Sequence, residues 1–272
     1  MPINYSTEKG NRQLTEFFLR FDRMADDPEA RGWDPTVKEA TVEEVEDFAE
    51  AVKVACEGRP KPERRKACTQ KEAEGEEKAP DPVFCQLVQS VGDPSWYPRK
   101  RVSVFDGEDT RNYIVGRSIS DPKDATGRAT RGFVAMSVET KKLVFLKDSW
   151  RIDVEDIRPE GHWYQVLLKK RRRGAKYIGA YSHGSDVYAT KKFVRCQDEK
   201  QRTITHLYAK DHGRVEAMMG YIHYRVVQPE LYLPLKSFRD SKHLTNIMYD
   251  VAQGPFCQFI YFFVRIDFVY RP

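Results

Sequence analysis

The chain has 272 residues, of which 40% are hydrophobic and 32% charged, which is length enough for one large or two small domains with a substantial core. The low apolar and high charged fractions imply that part of the chain does not fold by itself. A formal net charge of +5 is too mild to mark a dedicated nucleic-acid binder and implies only weak attraction to polyanions.

Five scattered cysteines (Cys56, Cys68, Cys85, Cys196 and Cys257) form no CxxC pair. This argues against a disulfide framework or a zinc finger and for a reducing compartment. The N-terminus, MPINYSTEKGNRQ, is polar and has no apolar signal core. An intracellular protein, cytoplasmic or nuclear, is expected.

In chain order, Leu14, Phe17, Phe18, Phe21 and Met24 recur at helical spacing and predict a helix from about Gln13. GWDPT breaks it, because Pro35 disfavours helical geometry at Asp34. Thr41 and Glu44 form a capping box, and Val42, Val45, Phe48, Ala49 and Val52 supply the stripe of a second helix ended by Gly58 and Pro60. Residues 1–56 therefore read as an N-terminal helical segment. Residues 57–82 hold blocks of both charges and almost no large apolar side chains, so they read as a flexible linker or, alternatively, a docking tail.

Beyond the linker the period shifts to two. Pro82–Val88, Lys100–Phe105 and Asn112–Ile119 read as half-buried strands. Arg131–Val138 and Lys142–Lys147 read as a hairpin across Glu139-Thr140-Lys141, and Ile157–Arg171 as a helix with Pro159 near its start. Strands over Thr203–Lys210 and Tyr221–Gln228 and a helix opening at Ser241 follow. Several strands with one helix among them predict an α+β fold, not a doubly wound sheet.

The segment GRATRGFVAMSVETKKLVFLK, Gly127 to Lys147, carries the most chemistry. Gly127 and Gly132 in a G-x-A-x-x-G string read two ways: as plain hairpin-turn glycines, or as a turn whose backbone approaches phosphate. Lys147 alone reads as a solvated strand-end charge. Together they place an ammonium beneath a glycine turn, and Glu160 lies near the start of the next helix. A lysine held by a helical glutamate over a nucleotide's α- and β-phosphates is the kinase arrangement.

On these words the chain resembles the fungal-type protein kinase family, which has a protein-kinase-like fold. LTEFFLRFDRM with RGWDPTV, GRATRGFVAMSVETKKLVFLKDSWR, PEGHWYQVL, and YIHYRVVQPELYLPLKSFRDSKHLTNIMYDVAQ stand in the family's order, over roughly residues 12–253. The resemblance implies a small lobe over residues 83–253 (an antiparallel sheet plus one helix, then a hinge and the first large-lobe helix). It implies ATP held by Gly127, Thr130, Gly132 and Lys147, with Glu160 as the partner of Lys147 and Val226–Glu230, including Val227 and Gln228, as the hinge. Two departures are Ala129 in place of a turn glycine, and His162 where the family has a second acid.

After Gln253 the family would continue to an HRD-type loop with a base aspartate and metal-binding residues. Here residues 254–272 read GPFCQFIYFFVRIDFVYRP, with no histidine, no asparagine and Asp267 as the lone acid. The expectation is a fragment truncated before the catalytic loop, its large lobe essentially absent and its last 19 residues an unrelated apolar tail. Without base and metal ligands, no catalytic residue and no bound Mg are expected, and phosphoryl transfer fails. Phe256–Tyr270 is only about half a bilayer span, so no membrane partner is expected. A protein partner at the exposed underside of the small lobe is expected, the alternative function being a pseudokinase-like ATP- or protein-binding module.

The run KKRRRGAK, Lys169 to Lys176, reads as a solvated helix end or as a nuclear-localisation or phosphate-binding patch. Nucleic acid is not the expected partner. The six histidines (His162, His183, His206, His212, His223 and His243) lack ligand spacing, so no metal site is expected. No serine sits in a nucleophile-elbow context.

Overall fold

Five segments rich in apolar side chains, with two short polar ones, pair into one antiparallel sheet. The computed structural model describes residues 6–23, 33–57, 82–120, 122, 128–169, 179–189, 200–203, 219–231, 233–234, 238, 240–253 and 269–270. The seven strands are β1 (Val37–Glu39), β2 (Lys100–Phe105), β3 (Thr110–Val115), β4 (Arg131–Ser137), β5 (Leu143–Ile152), β6 (His183–Asp186) and β7 (Tyr221–Gln228), in the order β1-β2-β3-β4-β5-β7-β6. A separate two-stranded ladder joins β8 (Leu233–Pro234) to β9 (Val269–Tyr270). The helices are α1 (Glu8–Arg23), α2 (Val42–Cys56), α3 (Pro82–Val91), α4 (Glu160–Lys169) and α5 (Ser241–Gln253).

The sheet curls until β2 lies against β6. Tyr113 of β3 reaches across to His183 of β6, Oη to Nε2 at 3.1 Å, and Phe105 meets Tyr188 edge to face. Burial pushes the Tyr113 phenol up to about 12 and the His183 imidazole down, so this seam is a neutral hydrogen bond. The inward face is filled by Val102, Val104, Val115, Ala135, Val144, Leu146 and Val227. The outward face of β3 and β4 offers Ile114, Val134 and Met136 to Phe48 and Val52 of α2 and to Val83 and Leu87 of α3. Alternation along each strand thus makes two cores, one inside the curl and one beneath the helices.

The capping box of α2 is present. Thr41 Oγ1 accepts from the Glu44 amide at 3.3 Å, and Glu44 Oε2 accepts from the Thr41 amide at 3.0 Å. Glu44 also pairs with Arg101 of β2 at 3.1 Å, so one carboxylate both starts the helix and fastens it to the sheet. The hairpin of β4 and β5 turns where expected, with register from Arg131↔Asp148 to Met136↔Leu143.

Pro82–Val88 is a helix, not the expected strand. Its buried residues Val83 and Leu87 stand four apart while Val88 is exposed, which is a helical stripe. A short apolar run fits both periods, and proline is tolerated in a first helical turn. Gly92, at φ +53°, follows the helix end in the left-handed conformation that glycine adopts freely. The short strands β1 and β6 were not foreseen. α2 and α3 pack on the sheet in addition to α4, the one helix expected against it. The strand read over Asn112–Ile119 ends at Val115, beyond which the Ile119 amide still bonds to the Gly132 carbonyl, and α4 starts at Glu160, after Pro159. The strand expected over Thr203–Lys210 lies outside the described residues from residue 204 on. So do most of the linker, residues 170–176 of the basic run, and the tail except Val269 and Tyr270.

Candidate functional site

Lys147 sits on β5 with Gly132 of β4 on one side and Val226 of β7 on the other. Its outward side chain meets the first residue of α4, with Nζ 2.8 Å from Glu160 Oε2. Both are mostly buried, at 18% and 25% side-chain exposure. The helix is brought this close by Gly161. Its amide donates to the Tyr224 hydroxyl at 2.9 Å, and a Cβ there would lie 2.5 Å from the hydroxyls of both Tyr181 and Tyr224. One turn on, Gln228 Nε2 donates to the Tyr164 hydroxyl at 3.0 Å, and Tyr164 stacks on Tyr181. An ammonium fixed by a carboxylate at the start of a helix is a preorganised cation site, which spares a flexible lysine its ordering cost.

The other expected site residues are placed less favourably. Gly132 is on β4 directly across from Lys147, but its amide donates to Ser120 Oγ at 2.9 Å. A Cβ at Gly132 would meet the Phe145 ring at 3.0 Å, so this glycine serves close packing. Ala129 takes the left-handed conformation at φ +39°, where a glycine would be unstrained. Thr130 lies just before β4, and Gly127 lies outside the described residues. Val227 points into the inner core, and its carbonyl accepts from Ser182 N at 3.1 Å within a ladder paired on both sides. Gln228 faces outward with Lys147 but is bonded to Tyr164.

A second constellation, not foreseen, lies on the inward face. Asp148 of β5 and Arg225 of β7 are cross-strand partners, as are Trp150 and His223. Arg225 is 1% exposed. Its Nε donates to Asp148 Oδ2 at 3.0 Å, and its Nη1 to Thr36 Oγ1 at 2.6 Å and to the Ser103 carbonyl at 2.9 Å. Its Nη2 pairs with Asp34. His223 Nε2 lies 2.6 Å from Asp148 Oδ1, Nδ1 lies 2.8 Å from Gln201 Oε1, and the ring stacks on Trp150 at 4.8 Å. Burial opposes ionisation of Asp148, but His223 and Arg225 outweigh it and hold the carboxyl well below its usual range. Asp34 is likewise lowered, burial being outweighed by Arg225 and by hydrogen bonds from Thr36 and Gln201.

This cluster joins the words RGWDP, KDSWR and HYRVV, which contribute Asp34, Asp148 with Trp150, and His223 with Arg225. The signal for it was present in the alternation. Val144, Leu146, Asp148 and Trp150 share the inward face, as do His223, Arg225 and Val227, so an acid and two bases stand on buried positions of two strands.

Neither of two surface cavities among the described residues is lined by Lys147 or Glu160. One of about 390 Å³ lies at the seam of β2 and β6, between Ser103, Phe105, Asp186 and Tyr188. The other, of about 290 Å³, lies by Arg151, Asp153, Asp186, Lys200 and Arg202. Arg151 grips Asp186 with two bonds, at 2.6 and 2.8 Å. Among the described residues no group of three or more His, Cys, Asp or Glu is placed to hold a metal ion. No described helix is long and apolar enough to cross a membrane. Comparison of the chain with protein families, with curated proteins and with solved structures finds no match.

Proposed function

We propose that the chain is a protein-kinase-like small lobe of the fungal-type family that holds the phosphates of ATP at Lys147 without transferring them. The observation that carries this reading is the 2.8 Å pair of Lys147 and Glu160, formed between a strand and a helix start across from Gly132. A lysine so held presents its remaining donors in a fixed place, which is what phosphate recognition requires. Binding is weak, because the Gly132 amide is bonded to Ser120 and the Val227 carbonyl to Ser182. Transfer needs a base and metal ions on the reacting phosphate, and no His-Arg-Asp sequence follows Glu160 in these 272 residues.

The test is thermal unfolding with and without millimolar ATP. Stabilisation of the wild type that disappears in Lys147→Ala supports the reading. A second reading, a protein-binding module that takes no nucleotide, is favoured by the internally bonded Gly132 and Val227, and an unshifted wild type would select it.

A further inference from the structure

We propose that His223 is held as an imidazolium donating from both ring nitrogens, and that its charge locks the Trp33–Thr36 segment onto the sheet's inward face as a charge-sensitive strap. The acceptors on either side of the ring decide its protons. Gln201 Nε2 lies 2.8 Å from Asp34 Oδ1 and 3.4 Å from the Tyr188 carbonyl, both acceptors. The amide is thereby oriented, and the oxygen left facing His223 Nδ1 accepts. On the other side Nε2 faces Asp148 Oδ1, and the second oxygen of that carboxylate takes Arg225 Nε. An imidazole between two acceptors satisfies both only when it carries two protons.

Charge leads to the same assignment. Among the described residues, the groups facing the ring are Asp148 and Trp150 from β5, Asp34 from the strap, Arg225 from β7 and Gln201 from residues 200–203, with Arg131 of β4 across from Asp148. Of the two guanidiniums only Arg225 is buried, while Arg131 is exposed and screened by solvent, so the two carboxylates outnumber the buried cations by one. The imidazolium balances this excess, and its stacking on Trp150, tilted by 13°, suits a cation over an indole.

The strap depends on this charge through Gln201. Asp34 Oδ1 accepts from the Thr36 amide at 2.9 Å, from the Thr36 hydroxyl at 2.6 Å and from Gln201 Nε2. The Thr36 carbonyl in turn accepts from the Ser103 amide at 2.9 Å. If His223 loses its Nδ1 proton, a lone pair faces Gln201 Oε1. The amide relieves this by turning over, which withdraws its donor from Asp34. The strap then keeps Arg225 and the two Thr36 donors and loses one of the three donors on Asp34 Oδ1, the one that ties it to residues 200–203.

The experiment uses the full chain, labelled with ¹⁵N, at about pH 7.5, where a free histidine is mostly neutral. The His223 side-chain nitrogens are expected to show the paired signals of an imidazolium; one protonated and one bare nitrogen overturns the protonation claim. Amide exchange is then compared in His223→Gln. Thr36 is expected to exchange about tenfold faster while Ala135, in the centre of the sheet, is unchanged. Equal acceleration of both, or of neither, overturns the strap. Should His223→Gln fail to fold, Gln201→Ala carries the exchange measurement, with the same expected and contrary outcomes.

Discussion

Among the described residues, Arg225 has the most to lose. It is buried, and it ties two carboxylates, a threonine hydroxyl and a strand carbonyl that come from three separate parts of the sequence. Removing one partner of a buried ion cluster leaves the others charged and unpaired, which costs far more than a surface pair. Arg225→Ala is expected to destabilise the fold by about 3–5 kcal/mol, read from the urea midpoint. Arg225→Lys, which keeps the charge but not the planar fork, should fall between the two. Acid unfolding tests the same cluster. The carboxyls of Asp34 and Asp148 are lowered in the folded state from an ordinary 3.8. Their contribution is therefore complete above that value and is lost as pH falls below it, through the folded-state range. In Asp148→Asn the slope of stability against pH below about 4 should be shallower than in the wild type.

Among the elements, α4 decides the state of Lys147. The helix is held against β7 by a glycine contact that has no room for a methyl group, with both tyrosine hydroxyls 2.5 Å from where it would stand. Gly161→Ala should push the helix off the sheet, separate Glu160 from Lys147 and cost about 1–3 kcal/mol. Pairing this change with Tyr181→Phe, which removes one of the two hydroxyls, should recover part of the loss in the same unfolding measurement. The elements also differ in how far they could be read from sequence. The capping box at Thr41 and the hairpin of β4 and β5 were legible because each rests on residues within a few positions of one another. The α3 helix was not, because PVFCQLV fits a strand or a helix until something shows which residues are buried. The short strands β1 and β6 were missed because their extended form is imposed by strands far away in sequence, against weak local preference.

At the scale of the whole molecule, the words that suggested a family do two jobs on opposite faces of one sheet. Within KDSWR, Lys147 points outward to Glu160 and Asp148 points inward to Arg225 and His223. The outward lysine was legible as a candidate cation only in combination with the glycine turn before it and Glu160 after it, since alone it read as a solvated strand-end charge. The inward cluster was not, since it depends on β5 lying beside β7 and on the RGWDP segment crossing the same face. The two roles can be separated by experiment: changes at Asp34 or Arg225 should lower stability, whereas changes at Lys147 should lower the proposed binding of ATP. Calorimetric titration of folded wild type, Lys147→Arg and Lys147→Ala with ATP tests the central claim most directly. The account predicts weak binding by the wild type, weaker binding by Lys147→Arg and none by Lys147→Ala, with the unfolding midpoint of Lys147→Arg in the absence of ATP little changed. Equal heats from all three proteins, or no heat from the wild type, would contradict it.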